Sequence, residues 1–200
     1  MSRSRKGHSR PVSQRREILV FTEGEKTEGG YLLPWRRAFR DRVLVSVDPF
    51  HGPPASLVDT AVQVKREQAR DAKRGKGRGY DEIWCMFDID AHPNVPEAVQ
   101  KAQANGVRLA ISNPCLELWF MLHFEERTSY IGRHDAQTRA ADLLSCGKNL
   151  SAAAMNALFE QYEDARRRAR RLDKKHFGDG SPAGSNPSSS VWTLVDSITS

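Results

Sequence analysis

The sequence predicts an α/β fold in which a four-stranded parallel central sheet is flanked by helices and followed by a C-terminal helical extension. Strand-like apolar runs alternate with helical segments four times up to about residue 125, and no strand signal follows. Alternation of this kind is typical of parallel strands joined by right-handed helical crossovers. The strand segments are apolar throughout, which favours burial on both faces of the sheet.

Each predicted strand is a short run rich in strand-forming residues and bounded by turn residues. The four strands are predicted at residues 18–21, 43–47, 83–87 and 107–111. Between and after them, helices are predicted at 31–40, at 57–72 with Ser56 as N-cap, at 96–105 and at 116–124.

The last third of the chain carries only helical and loop signals. Helices are predicted at 135–144, 151–172 and 191–198, with a Gly/Ser/Pro-rich loop at 178–189. Apolar Trp192 and Val195 are available to pack the last helix on the body. The predicted organisation is therefore a mobile basic tail at 1–16, an α/β core at 17–125 and a helical extension at 126–200 packed on that core.

The net charge of +6 is concentrated in three basic clusters, within residues 1–16, 65–78 and 166–175. Basic clusters attract polyanions through phosphate charge and counterion release. Because three separate clusters recur, nucleic acid is favoured as a partner over a role in solubility alone. The loop residues Lys73, Arg74, Lys76 and Arg78 are predicted to contact nucleic acid, the alternative being a flexible surface loop without a partner.

Several classes of protein are disfavoured by composition. The three cysteines lie far apart without a Cys-x-x-Cys pair, so neither a zinc site nor a disulfide framework is indicated. No apolar stretch approaches the ~20 residues that cross a membrane, and the basic N-terminus lacks the hydrophobic segment of a signal peptide. A cytoplasmic location is the expectation.

Acidic residues follow two of the predicted strands. Glu23 leaves the end of the first strand, and Asp88 and Asp90 leave the end of the third. Ligands bind at the carboxyl ends of strands in an open parallel sheet. Two residues apart on an extended chain, the two aspartates point the same way with Cα atoms about 7 Å apart.

Carboxylates placed in this way favour a divalent cation, because clustered acids repel one another without one. All-oxygen ligation suits Mg²⁺ or Mn²⁺ better than Zn²⁺. The alternative is that Asp88 and Asp90 only stabilise the next turn, as aspartates after a strand often do. The combination with Glu23 in an α/β alternation favours the metal, and with it a catalytic role for all three residues.

Three residues of the loop after the first strand are candidate supports for this site. Glu25 and Glu28 either hold a second metal, stay in solvent or cap the helix that follows. Lys26 either meets a phosphate or pairs with a nearby glutamate.

Three further candidates lie elsewhere along the chain. His92 is a general base or, as lone histidines more often are, an exposed turn residue. Asn113 either orients the substrate or only forms hydrogen bonds within its own turn. Glu117, in an apolar helix, is structural or a support for the site residues.

At these residues the sequence resembles a known family. The segments ILVFTEGEKTEGGYL and IWCMFDIDAHP resemble the two halves of a TOPRIM domain, the Glu and Asp-x-Asp module of topoisomerases, primases and OLD-type nucleases. With AISNPCLELWFMLHF at 110–124 and NPSSSVWTLVD at 186–196, the chain resembles more narrowly the RloB family over about residues 17–198. One departure is that Ala91-His92-Pro93 follows Asp-x-Asp, where many TOPRIM domains carry a glycine.

The resemblance implies a Rossmann-like TOPRIM fold and a role in bacterial anti-phage defence. Related TOPRIM proteins act as toxic nuclease effectors beside an ABC-type ATPase, and Glu23 matches a residue proposed to relay a proton in TOPRIM enzymes. The sequence hypothesis is thus a nuclease that hydrolyses phosphodiesters of DNA or RNA, tRNA included, with Mg²⁺ or Mn²⁺. The alternative is a non-catalytic nucleic-acid-binding or adaptor subunit that works through an ATPase partner.

Overall fold

The computed structural model describes residues 15–89, 92, 94–147 and 149–200, and its centre is a five-stranded sheet. The strands are β1 (Arg16–Thr22), β2 (Val43–Val47), β3 (Glu82–Asp88), β4 (Arg108–Asn113) and β5 (Ser188–Ser189). The helices are α1 (Thr27–Ala38), α2 (Pro54–Lys73), α3 (Val95–Ala104), α4 (Leu116–Phe124), α5 (Arg133–Leu144), α6 (Ala152–Glu160), α7 (Tyr162–Gly178) and α8 (Val191–Thr199). The predicted basic tail lies almost entirely outside the described residues.

The strand order is β2-β1-β3-β4-β5, and the first four strands are parallel to one another as predicted. The chain leaves β1 for β2 on one side and later returns to β3 on the other side. The strand order therefore reverses between β1 and β3, and a crevice at the carboxyl ends of two such strands is the usual ligand site of an open α/β sheet.

The sequence predicted four strands, whereas the sheet has a fifth, β5. Ser188 and Ser189 pair antiparallel with Asn113 and Ser112, inside the segment predicted as a loop. Ser190 extends this contact, because its backbone N–H donates to the Ile111 carbonyl at 2.8 Å. The edge of β4 would otherwise leave backbone groups unpaired. Two serines give no hydrophobic alternation, so the sequence carries no signal of this strand.

Helices cover both faces of the sheet, as the apolar strands predicted. One face packs against α2 and α3 through a core that includes Phe21, Leu57 and Cys85. The other face packs against α1 and the C-terminal helices through a core that includes Tyr31, Trp35 and Trp119. No helix of the described residues is long and apolar enough to cross a membrane.

Several predicted helix boundaries were wrong. Helix α1 begins at Thr27 rather than at 31, so Glu28 lies in its first turn, and α7 continues to Gly178, beyond the predicted end at 172. Helix α2 begins at Pro54 rather than after a Ser56 cap, because proline suits the first turn, where its missing N–H is not needed. Ser56 lies inside the helix, and its carbonyl accepts a hydrogen bond from Thr60 Oγ1 at 2.9 Å. The predicted helix 151–172 is interrupted at Gln161, which ends α6 and precedes α7.

Candidate active site

Glu23 joins the ends of β1 and β3. Its backbone N–H donates to the Met86 carbonyl at 3.1 Å, which continues the strand pairing one step beyond β1. Its side chain turns back across the crevice, where Oε2 accepts the backbone N–H of Asp88 at 3.1 Å. Oε1 lies 3.0 Å from His92 Nε2. Because a carboxylate only accepts hydrogen bonds, Nε2 is the donor of this pair.

Asp88, the last residue of β3, is the most strongly perturbed acid of the site. Its side chain is only 16% exposed, and the nearest described cation is Arg133, with Nη2 3.9 Å from Asp88 Oδ2. Burial raises the pKa of Asp88 well above its usual range, and the charges of Glu23, Glu117 and Glu28 raise it further against the opposing effect of Arg133.

Glu28 is held beneath the loop that carries Glu23. Glu28 Oε1 accepts the backbone N–H of Gly24 at 2.8 Å, and a Cβ added at Gly24 would stand 2.9 Å from Glu28 Oε2. A side chain at position 24 would therefore displace the Glu28 carboxylate from its present place. Burial raises the pKa of Glu28, hydrogen bonding from Gly24 lowers it, and the charges of Glu23 and Glu117 raise it again.

These acids line one open cleft of about 560 Å³ at the carboxyl edge of the sheet. Its walls come from the β1–α1 loop, the start of α1, the end of β3, the start of α4, the first two turns of α5 and Asn149. Four carboxylates face the cleft, those of Glu23, Glu28, Asp88 and Glu117, together with Glu25 at the rim. The cleft is thus an acidic depression in a chain whose net charge is positive.

The donor set suits a hard divalent cation, since all these ligand atoms are carboxylate oxygens. Two of the acids, Asp88 and Glu28, have a raised pKa because burial disfavours their charged forms and because neighbouring carboxylates repel them. Within the described residues, however, no three Asp, Glu, His or Cys side chains form a ready-made metal cluster. The predicted third ligand, Asp90, lies outside those residues, so the triad stays a prediction.

The predicted supporting residues fall into two groups. Glu25, Lys26, Glu28 and Glu117 line the cleft. His92 is neither isolated nor fully exposed, because it holds the Glu23 carboxylate. Asn113 is engaged elsewhere, since its Nδ2 donates to the Gly184 carbonyl at 2.8 Å and ties the 179–187 segment to β4.

Sequence reasoning missed the contribution of the C-terminal extension. Arg133 and Gln137, one turn apart on α5, line the cleft together with Asn149. The predicted boundary at residue 125 therefore runs through the site. Arg133 belongs to no basic cluster, so only packing of α5 beside α4 could reveal it. His51 was also missed, and its Nδ1 lies 3.1 Å from the carbonyl of Thr22, next to Glu23.

The predicted basic loop lies at the opposite edge of the sheet. Residues 73–78 connect the end of α2 to the start of β3, whereas Asp88 ends that strand. The seven residues of β3 span about 20 Å, so the loop does not border the acidic cleft. Arg78 is paired with Asp81.

The third basic cluster, on α7, is partly paired with carboxylates. Arg166 pairs with Asp196, Arg167 with Asp164, Arg171 with Glu126, and Lys175 with Asp179. The guanidinium of Arg170 stacks over Trp192. These ion pairs reduce the positive charge that this surface presents to a polyanion, and binding of nucleic acid here stays a prediction.

Comparison with known proteins places the chain in a sequence family. A family model described as RloB-like protein matches residues 18–198, which is most of the chain. No curated protein and no solved structure matches the chain significantly.

Proposed function

Because the chain belongs to the RloB-like protein family, and because its acids converge at a strand switch point, we propose that it is a metal-dependent nuclease of the TOPRIM type. The observation that carries the proposal is the cleft in which Glu23, Asp88, Glu28 and Glu117 lie together. Such a cluster is costly to a protein unless a cation neutralises it.

Glu23 and Asp88 are the proposed catalytic residues seen in the structure, with Asp90 as the third. A divalent cation, when bound, supplies neutralisation of phosphate charge and acidifies a water. Hydrogen bonds from the Asp88 N–H and from His92 hold the Glu23 carboxylate across the crevice. From there Glu23 is placed to take up and return a proton, and His92 acts as its positioning residue.

Arg133 and Lys26 are the proposed phosphate contacts, since both line the acidic cleft. An unscreened acidic cleft repels a nucleic acid, and cations on its wall offset that repulsion. Arg133 offers several N–H donors in a fixed fork, which matches two oxygens of one phosphate.

The direct test is hydrolysis by the purified chain of labelled tRNA, single-stranded DNA and double-stranded DNA, with and without Mn²⁺. We expect metal-dependent cleavage of at least one substrate, and a loss of about 100-fold or more in Asp88→Asn and Glu23→Gln if their groups act in the transition state. Asp41→Asn, at an exposed residue, is the matched control. Equal activity in all variants would exclude this site.

The alternative function is a non-catalytic adaptor, and the hydrogen bonds that already occupy Glu23 favour it. An adaptor needs no divalent cation. Absence of both cleavage and Mn²⁺ binding would support the adaptor and reject the nuclease.

We further propose a defence role in which the nuclease is a toxic effector restrained by a partner such as an ABC-type ATPase. Expression of the chain alone is then expected to slow bacterial growth, and Glu23→Ala at the same protein level to relieve the effect. If both forms are equally toxic, the harm does not originate at this cleft. If neither is toxic, intrinsic activity of the isolated chain is rejected.

A further inference from the structure

A second cavity of about 260 Å³ opens beside the acidic cleft, and it is lined by α4, α5, Cys146, Gly147 and Leu150. Its volume is near the lower end of ligand pockets, which begin at about 300 Å³, so it suits a small group rather than a large ligand. The cavity and the cleft share three lining residues, Thr27, Glu117 and Gln137. A molecule bound in the cleft can therefore reach into the cavity.

The cavity has an apolar interior and a polar rim. Phe120, Ala140 and Leu144 are buried and form the apolar part of the lining. Gln137 and Thr138 lie at the rim, and among the described residues neither side chain makes a hydrogen bond to another group. The amide of Gln137 offers both donors and an acceptor, and the hydroxyl of Thr138 offers either.

This combination fits a nucleobase. A base has flat apolar faces that pack against an apolar lining, and it has an edge of donors and acceptors that form hydrogen bonds with amide and hydroxyl groups. A base inside a duplex has its faces stacked and its edge paired, so it cannot enter such a cavity without leaving the helix. The shared wall with the acidic cleft places the cavity beside the position proposed for a phosphate.

We propose that this cavity binds one unpaired nucleobase of the substrate, so that the enzyme acts on single-stranded nucleic acid or on the loops of a folded RNA. The inference rests on the proposed function, because it assumes that a strand lies in the cleft. It assigns base recognition to α5 of the C-terminal extension, whereas the acids of the cleft come from the β1–α1 loop, α1, β3 and α4.

Cys146 provides a reporter of occupancy. It lines the cavity and is partly exposed, whereas Cys85 and Cys115 are buried. Alkylation of Cys146 by iodoacetamide is measured by mass spectrometry in Ca²⁺ buffer. The probes are a short mixed-sequence single-stranded RNA, the same sequence as a duplex, and an abasic strand of equal length.

At a single-strand concentration of about ten times its Kd, alkylation is expected to slow about tenfold, because only the unoccupied fraction reacts. The duplex and the abasic strand are expected to give little protection. Ala141→Phe, which fills the cavity, and Gln137→Ala, which removes the amide, are each expected to weaken single-strand binding. Ala153→Phe and Gln103→Ala, at exposed positions, are the matched controls.

Equal protection by the duplex or the abasic strand, or no protection by the single strand, would overturn the inference. The two proposals fail separately. Metal-dependent cleavage without protection of Cys146 leaves the nuclease standing and rejects the base pocket. Protection by the single strand alone, with no cleavage of any nucleic acid, supports the pocket and rejects the nuclease.

Discussion

At the scale of single residues, the candidate site is a group of acids that the fold brings together although their negative charges repel one another. Asp88 is largely withdrawn from water, and three other carboxylates contribute to the rise in its pKa. Like charges in a partly desolvated cleft destabilise the folded chain unless protons or cations neutralise them. A bound cation relieves this repulsion, which links metal binding to stability.

Replacement of Asp88 by alanine is expected to abolish binding of Mn²⁺ measured by titration calorimetry. The variant is expected to remain folded, with a melting temperature in chelator equal to or above that of the parent, since one of the clustered charges has gone. Asp41→Ala is the control for loss of an exposed carboxylate. Unchanged Mn²⁺ binding in both Asp88→Ala and Asp90→Ala would reject the assignment of the metal ligands.

His123 is a residue-scale feature on the other side of α4. It is buried, its Nδ1 donates to the Trp119 carbonyl at 2.8 Å, and its ring packs edge-on against Tyr31 and Trp119. Burial is the main cause that lowers the pKa of His123 from 6.5 to about 3, and the charge of Arg168 adds to it. The imidazole is therefore neutral in the folded protein.

This pKa predicts a pH dependence of stability. Between pH 6.5 and about 3, the unfolded chain binds a proton at His123 that the folded chain does not. The free energy of unfolding therefore falls as the pH falls through this window, by up to about 1.4 kcal/mol per pH unit from this group. Urea unfolding of His123→Phe at several pH values is expected to give a shallower slope than the parent. His134→Phe, at an exposed position, is the control, and an identical slope in His123→Phe contradicts the prediction.

At the scale of elements, the C-terminal helices complete structures that the α/β part leaves open. Arg168 of α7 donates to the carbonyls of Leu122 and His123 at 2.7 and 2.9 Å, and so satisfies the end of α4. Helix α5 supplies Arg133 and Gln137 to the cleft. The extension is thus part of the site.

The basic loop between α2 and β3 allows a test at this scale, because it is remote from the cleft. Lys73, Arg74 and Lys76 are exposed and have no ion-pair partner among the described residues. Replacing all three with alanine is expected to weaken nucleic-acid binding and to reduce the salt slope by about 0.7–0.9 for each phosphate that the loop no longer neutralises. The cleavage rate at saturating substrate is expected to stay unchanged. A triple variant with the parent's affinity and salt slope would mean that the loop is only a connection.

At the scale of the whole molecule, one carboxylate joins distant parts of the chain at the edge opposite the site. Glu82 pairs with Arg16 and Arg108 and accepts a hydrogen bond from Ser197 of α8 at 2.6 Å. Burial raises its pKa, but hydrogen bonds from Ser197 and Trp84 and the charge of Arg108 outweigh burial and hold the pKa below its usual range. The Glu82 carboxylate of β3 therefore connects β1, β4 and α8.

Glu82→Ala is expected to lower the free energy of unfolding by about 2–4 kcal/mol. The substitution removes the partner of two arginines, Arg16 and Arg108, and of two hydrogen-bond donors in a partly buried site. Urea denaturation followed by circular dichroism measures the change. Glu160→Ala, at an exposed helix position, controls for the loss of a glutamate. A loss no larger than that of the control would mean that Glu82 does not hold α8 to the sheet.

What the sequence determined by itself was the alternation of elements and the presence of acids at the carboxyl edge of the sheet. Apolar runs at 18–21 and 83–87, within an alternation of strands and helices, favour buried parallel strands, and polar residues that follow such strands come to the carboxyl edge of the sheet. Glu23, Asp88, Glu28 and Glu117 could therefore be assigned to a common region from local patterns alone. The family of the chain could also be predicted, because its motifs span nearly the whole length.

Only the tertiary structure decided which distant groups meet. Arg133 and Gln137 reach the cleft because α5 packs beside α4, and their local sequence carries no trace of that packing. The strand β5 exists because β4 has an open edge, although two serines have no strand signal of their own. Ion pairing depends on packing for the same physical reason, since Arg166 and Arg171 of α7 pair with Asp196 and Glu126, carboxylates of other parts of the chain that the local sequence does not reveal.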